Sequence, residues 1–221
     1  MIEKRNQDGK EYRLENDSIG SKSVPSDVYY GVQSMRAAEN FRITGLYMHP
    51  EIINSLAYIK KACAVTNCEV GLLERKIANA IVQACDEIIE GKLHEFFIVD
   101  PIQGGAGTSL NMNANEVIAN RAIEILGGEK GDYSIVNPND HVNYGQSTND
   151  VIPTAGKMTS LRLLHNAQKE LRRLHAALCK KAEEFNHAIK MARTQMQDAV
   201  PIRLGQEFQA YSVAIMRDIN R

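Results

Sequence analysis

Three short polar segments of the chain carry side chains that can hold a carboxylate without a basic residue. They comprise Thr108 and Ser109, then Ser147, Thr148 and Asn149, and finally Thr194 and Gln195. Hydroxyls, carboxamides and the first free N–H groups of a helix all donate hydrogen bonds to anions. The same donors stabilise the charge that builds on a carboxylate when the neighbouring carbon loses a proton. We predict that each segment lies in a turn at or near a helix start, and donors of this kind can hold a dicarboxylate.

The first segment follows a glycine-rich turn. Residues 104–107 contain three glycines, which allow the backbone to approach a ligand closely. The helix predicted after them combines a buried apolar stripe with four poor helix formers, which we interpret as buried polar groups. These are Asn111, Asn113, Asn115 and Asn120. The absence of a GxxxxGK[ST] or GxGxxG pattern argues against a nucleotide site. The alternative interpretation is a glycine hinge followed by a capped core helix.

This region resembles a known superfamily. The sequence GGAGTSLNMNANEVIANRA of residues 104–122 closely resembles the first signature region of the aspartase/fumarase superfamily, in its aspartase form. Residues 27–41 resemble the N-terminal segment of the same superfamily, and residues 192–208 resemble its second signature region. The resemblance covers the chain from about residue 12 to residue 221.

The resemblance implies a reaction and a role for each site residue. The reaction is the reversible deamination of L-aspartate to fumarate and ammonia, through loss of a Cβ proton and an aci-carboxylate intermediate, with no cofactor and no metal. The residues expected to act in catalysis are Thr108, Ser147, Thr148 and Asn149. Of these, Asn149 is expected to hold the amino group and the other three to contact the β-carboxylate. Thr194 and Gln195 are expected to bind substrate from another subunit of a homotetramer.

Two departures from the superfamily pattern limit these expectations. The catalytic base of the superfamily is a serine in a third signature region of the form GSSxMPxKxN, and the chain has no such segment. We therefore expect a chain truncated at Arg221 and inactive alone. Gln195 and Asn137 stand where many fumarases have histidine, and Gln195 weakens a fumarase assignment. A class II fumarase and a non-catalytic helical assembly protein of the same fold are the alternatives.

Composition excludes several other classes of protein. The net charge of −1 gives no general attraction for nucleic acid or an anionic membrane, and no apolar run approaches a membrane span. The first residues lack a secretory h-region, so the expected location is the cytoplasm. The four cysteines form no CxxC pair and the six histidines lack metal-ligand spacing. We expect reduced cysteines and no zinc site.

The elements that must position the site are predicted to be mainly helical. Residues 1–10 are polar and expected to fray, and the alternation in residues 12–23 predicts a short β-hairpin or extended arm. Residues 51–91 predict a helical hairpin. We expect an all-α fold with an N-terminal helical domain over residues 1–145. Residues 146–221 are expected to begin a central helical bundle.

The bundle region is predicted to contain one very long helix. An apolar seam runs from Leu161 to Ile189 over about 42 Å and is expected to need partner helices from other subunits. Ser147 and Asn149 are candidate caps for this helix, and Pro153 suits its first turn. Residues 192–208 are predicted to form a loop that enters a final helix.

Overall fold

A computed structural model describes residues 11–221, so the expected fraying of residues 1–10 lies outside the described residues. The described chain is mainly helical, as predicted, and divides into two compact units, Met1–Thr159 and Ser160–Arg221. The elements of the first unit are β1 (Tyr12–Asp17), β2 (Gly20–Pro25), α1 (Val32–Asn40), α2 (Pro50–Glu69), α3 (Arg75–Ile89), a 3₁₀ turn (His94–Phe96), α4 (Thr108–Ile125), a π-helical turn (Pro138–Val142) and the beginning of α5 (Thr148–Glu184). The second unit contains the rest of α5, β3 (Ile189–Thr194), β4 (Gln197–Arg203) and α6 (Leu204–Asn220).

The β1–β2 hairpin confirms the predicted N-terminal arm. Its strands pair antiparallel, with Tyr12 opposite Pro25 and Asp17 opposite Gly20. The buried guanidinium of Arg13 donates to the carboxylate of Glu15 at 2.8 Å, to the carbonyl of Pro25 at the end of β2, and to the carbonyls of Val28 and Tyr30. A buried arginine with this many acceptors fixes the arm against the segment that leads to α1.

The helical hairpin predicted over residues 51–91 is formed by α2 and α3. Pro50 is the first residue of α2, and the Nδ1 atom of His49 accepts from the N–H of Glu51 at 3.1 Å. The apolar faces of both helices pack with α4 into the core of the first unit. This core is the scaffold on which the site residues are placed.

Helix α4 is buried on nearly every side, and its asparagines are buried as predicted. The side chain of Asn113 accepts from the N–H of Ile98 and donates to the carbonyl of Phe96, both at 2.9 Å. Asn120 accepts from the N–H of Gly131 at 2.7 Å. These amides satisfy backbone groups of neighbouring, partly buried segments.

The carboxylate of Glu116 ties α4 to the start of α1. It accepts from the N–H groups of Gly31 at 2.9 Å, Gln33 at 2.9 Å and Ser34 at 3.0 Å. A negative charge suits the positive end of the helix dipole, and these bonds satisfy N–H groups that have no partner within the helix. Burial raises the pKa of Glu116, while the bonds from Ser34 oppose that shift.

The second unit departs from the predicted elements in two places. Helix α5 ends at Glu184, so the prediction that its seam reaches Ile189 is wrong, and Ile189 instead begins β3 opposite Arg203. Residues 192–208 are not a loop, because they contain most of the β3–β4 hairpin and the first turn of α6. Antiparallel pairing satisfies the backbone groups that a loop would leave to water.

Helix α6 confirms the predicted final helix and packs against the end of α5 inside the second unit. A Cβ atom on Gly205 would lie 2.2 Å from the carbonyl oxygen of Ala182, so only glycine fits there. The rings of Phe185 and Phe208 lie 5.7 Å apart. Leu161 on α5 is 70% exposed, so part of the predicted apolar seam faces outward in this chain.

Candidate functional site

The glycine turn ends at the start of α4, as the sequence predicts. Gly107 precedes the helix with φ of +83°, a backbone conformation that favours glycine, and Thr108 is the first helical residue. The carbonyl of the Gln103 side chain accepts from the N–H of Leu110 at 2.8 Å and caps the first turn. The exposed hydroxyl of Thr108 therefore stands beside a helix start whose position is fixed from the preceding segment.

Asp100 holds that preceding segment in place. Its carboxylate accepts from the N–H groups of Thr44 at 2.7 Å, Gly45 at 2.9 Å and Ile102 at 2.8 Å, and from the hydroxyl of Thr44. Loss of hydration raises the pKa of this carboxyl, but bonds from the N–H groups of Ile102, Thr44 and Gly45 outweigh it and lower the pKa to about 2. A charged Asp100 thus joins residues 44–45 to the segment that leads into the glycine turn.

The second segment opens α5. Helix α5 begins at Thr148, and the Oγ atom of Ser147 accepts from the N–H of Asn149 at 3.3 Å, so Ser147 is the cap. The expectation that Asn149 is also a cap is wrong, because it already lies in the first turn. Pro153 lies beyond the first turn, because α5 already begins at Thr148, so that placement is wrong too. Proline has no N–H, so the carbonyl of Asn149 accepts no helical hydrogen bond from residue 153.

The starts of α4 and α5 lie close together within the first unit. A Cβ atom on Gly107 would lie 3.1 Å from the Cγ2 atom of Ile152, so the lack of a side chain at Gly107 permits this close packing. The side chain of Asn111 on α4 donates to the hydroxyl of Thr148 at 3.0 Å. The structure therefore brings Thr108 and the segment of residues 147–149 to two neighbouring helix starts, where N–H groups and helix dipoles favour an anion.

A buried polar network behind Thr148 was missed by the sequence predictions. The oxygen of the Asn143 side chain accepts from Asn111 at 3.2 Å and from the Nζ atom of Lys60 at 2.8 Å. Lys60 also donates to the side-chain oxygen of Gln146 at 2.8 Å. The available signal was the position of Lys60, which falls four residues after Leu56 on the apolar face of α2.

Thr194 and Gln195 belong to the second unit and lie at the tip of the β3–β4 hairpin, so their predicted place near a helix start is wrong. Gln195 and Met196 form the two-residue turn, with φ of +49° and +61°. Positive φ at both positions is typical of the type I′ turns that match the twist of a hairpin. Both side chains are exposed.

Comparisons with known proteins identify the family. A family model described as "Lyase" matches residues 20–221. The chain belongs to this lyase family. It is 59% identical to the aspartate ammonia-lyase of Bacillus subtilis over 212 residues, which is 96% of the chain. It is 51% identical to the class II fumarate hydratase of Halobacterium salinarum, also over 96% of the chain.

A solved structure of another member shows the same fold. The fumarate lyase:delta crystallin of Brucella melitensis is 50% identical, with a TM-score of 0.84, and the match covers 95% of this chain and 49% of that one. The chain spans about 45% of the length of each of the two curated lyase-family relatives.

Two further observations concern the part of the chain that the structure describes. Among residues 11–221, no group of three or more His, Cys, Asp and Glu side chains is arranged to hold a metal ion. Within the same residues, no helix is long and apolar enough to cross a membrane. The donors described at the starts of α4 and α5 are all hydroxyls, amides and backbone N–H groups.

Proposed function

We propose that the complete protein is a cytoplasmic aspartate ammonia-lyase that converts L-aspartate reversibly to fumarate and ammonia. The observation that carries the proposal is the meeting of two helix starts that present Thr108, Ser147, Thr148 and Asn149 as donors for a carboxylate. High identity to aspartate ammonia-lyases, 59% for the Bacillus subtilis protein, supports the same reaction.

The donors at these helix starts suit the intermediate of such an elimination. A base removes a proton from Cβ, and the electron pair of the C–H bond moves into the β-carboxylate to give an aci-carboxylate with an added negative charge. The pair then returns to form the Cα–Cβ double bond, and the Cα–N bond breaks to release ammonia. Fixed N–H and O–H groups aimed at the carboxylate stabilise the intermediate more than the substrate, and this lowers the barrier.

We assign a role to each donor in this reaction. Thr108, Ser147 and Thr148 bind the β-carboxylate, and Asn149 accepts hydrogen bonds from the substrate ammonium through its side-chain oxygen. Thr194 and Gln195 complete the site from another subunit. The base is a serine of a third signature region, which this sequence does not contain. We therefore propose that the chain alone does not catalyse the reaction.

The exposed apolar residues of the second unit support the proposed assembly into a homotetramer. Leu161 is 70% exposed, and Leu164 and Leu174 on the same helix are each 46% exposed. Apolar positions repeated along a long helix usually mark a contact with other helices. Partner subunits would cover these leucines and bring a second copy of the hairpin tip to the site.

The 51% identity to a class II fumarate hydratase favours one second candidate, the addition of water to fumarate. The carboxylate donors would serve either reaction, so the choice depends on what holds the leaving group. Asn149 and Gln195 each offer an amide oxygen that accepts from an ammonium group, which has three donors, whereas the hydroxyl of malate has one. A hydrogen bond to a charged group contributes about 1.5–3 kcal/mol, roughly ten- to a hundredfold in rate, in favour of aspartate.

Steady-state kinetics of the complete gene product tests the proposal. We expect kcat/KM for L-aspartate to exceed that for L-malate by at least about tenfold, measured through fumarate absorbance. The variant Asn149→Ala should lose most turnover of aspartate, while Asn40→Ala, at an exposed asparagine at the end of α1, should retain it. Equal kcat/KM for the two substrates would replace this proposal with the fumarase candidate.

A further inference from the structure

Lys60 is a completely buried lysine in the middle of α2, with 0% of its surface exposed. Its Nζ atom lies 2.8 Å from the side-chain oxygens of both Asn143 and Gln146. Lysine is rarely buried this fully unless it is paired, since loss of hydration disfavours its charge. The complete burial of Lys60 against two amide oxygens therefore needs a physical explanation.

Lys60 fixes the direction of the hydrogen bonds that lead to Thr148, together with the backbone carbonyl of Gln146, which accepts from the NH₂ group of Asn143 at 3.2 Å. A side-chain amide can reverse its oxygen and its NH₂ group, but an ammonium group only donates. Lys60 therefore requires the oxygen of Asn143 to face it, and that oxygen also accepts from the NH₂ group of Asn111. The same NH₂ group donates to the hydroxyl oxygen of Thr148 at 3.0 Å.

The direction of these hydrogen bonds determines where the proton of the Thr148 hydroxyl points. Because its oxygen already accepts from Asn111, its O–H bond points away from that amide and is free to donate to another group. With the Asn111 amide reversed, its oxygen would compete for this proton. The direction of the chain of amides thus decides whether Thr148 can act as a donor.

We propose that Lys60 is a positioning residue, which holds Asn143 and Gln146 so that the Thr148 hydroxyl is presented as a hydrogen-bond donor to the substrate carboxylate. The inference rests on the proposed function, which supplies that carboxylate. Lys60 acts through Asn143 and Asn111 on Thr148, and it also donates to Gln146, the residue directly before Ser147. It does not itself contact the substrate.

The two hydrogen bonds of Lys60 do not depend on its charge. Burial lowers the pKa of Lys60 to about 7, while Cys63 on α2 and Cys85 on α3 act in the opposite direction. A neutral amine retains two N–H donors, which is the number that the two amide oxygens require. A neutral amine also carries a lone pair that accepts, so only the ammonium form requires both amides to turn their oxygens towards Lys60.

A double-mutant cycle in the complete enzyme tests the proposal. The variants are Lys60→Met, Thr148→Val and the two combined, with kcat/KM measured on whichever of L-aspartate and L-malate the unmodified enzyme converts faster. We expect Lys60→Met to lower kcat/KM by about tenfold or more in the presence of Thr148. In the Thr148→Val background the same change should have little further effect, because the hydroxyl through which it acts is gone.

Lys61→Met is the matched control, since the neighbouring Lys61 is partly exposed and pairs with Asp86 at 2.6 Å. It should retain activity. If Lys60→Met does not fold, Lys60→Gln replaces it, because its amide keeps a donor for one of the two oxygens. Factors for the two single variants that multiply in the double variant would show a merely structural role and overturn the proposal.

The outcomes separate this inference from the proposed function. Preference for malate would remove the aspartase assignment, yet the cycle on malate would still test Lys60. Turnover of aspartate together with independent effects would leave the enzyme assignment standing and remove the role of Lys60. Turnover of neither substrate would overturn both.

Discussion

Thr148 in the first unit and Gln195 in the second are both assigned to the same substrate, yet the chain holds them by different means. The Thr148 hydroxyl accepts from a buried amide that is itself fixed by Asn143 and Lys60. Gln195 lies at a hairpin tip with its side chain exposed and φ of +49°. Buried polar groups thus orient the Thr148 hydroxyl in the first unit, whereas the backbone of a turn positions the Gln195 side chain in the second.

This difference has a consequence for where substitutions do harm. Replacing a buried amide such as Asn113 leaves neighbouring backbone groups unpaired, so in the first unit a substitution that affects function is expected to affect stability as well. At the hairpin tip, side chains meet water and the backbone carries the strain. Stability and function should therefore separate in the second unit.

The largest effect is expected for Asn113→Leu on α4. This change removes the acceptor of the Ile98 N–H and the donor to the Phe96 carbonyl. Asn113 makes both hydrogen bonds at 2.9 Å. Each buried group left unpaired costs about 1–3 kcal/mol. Denaturant unfolding should show a loss in the free energy of unfolding of that order, whereas Asn40→Leu at an exposed position should change it little. Equal values for the two variants would contradict the role of buried amides in the first unit.

A smaller effect, visible only in acid, is expected at Asp100. Its pKa in the folded protein is about 2, below its ordinary value of 3.8, so the folded state favours the charged form. The stability that this carboxylate contributes is present above about pH 4 and is lost as the pH falls towards 2. Unfolding midpoints between pH 5 and pH 2 should fall more steeply for the unmodified protein than for Asp100→Asn. Parallel curves would show that Asp100 does not hold the segment before the glycine turn.

The same contrast explains what the sequence could predict. Ser147 as a cap, the glycine turn at Gly107 and the helical hairpin follow from local signals, and the structure confirms them. Lys60 and Asn143 were missed because they meet only through the tertiary fold, and a lysine is expected on the surface. Position 60 on the apolar face of α2 was the one local sign of its burial.

The β3–β4 hairpin was missed for a different physical reason. Ile189 continues the three-four spacing of apolar residues in α5. This periodicity alone predicts a helix that extends beyond Glu184, where α5 ends. The turn residues Gln195 and Met196 lack the Asn-Gly or Asp-Gly pattern that marks a type I′ turn. The chain therefore adopts here a backbone that its local sequence does not favour.

The smallest expected effect is a gain in stability at that turn. A non-glycine residue in the left-handed region carries a penalty of about 1–2 kcal/mol, which glycine avoids, although glycine also loses more entropy on folding. Gln195→Gly and Met196→Gly should therefore each raise the free energy of unfolding by up to about 1 kcal/mol. Thermal or denaturant unfolding of the two variants, compared with the unmodified chain, measures this gain.

Activity of the complete enzyme should distinguish the two variants, since both relieve the same kind of strain but only one removes a proposed substrate contact. Gln195→Gly should lower kcat/KM for L-aspartate while it stabilises the fold, whereas Met196→Gly, at a fully exposed side chain, should stabilise the fold and keep activity. Loss of activity in both would mean that the strained turn backbone, and not the Gln195 side chain, serves the site. Retention in both would remove Gln195 from the substrate contacts and leave the first unit to select the substrate through Asn149.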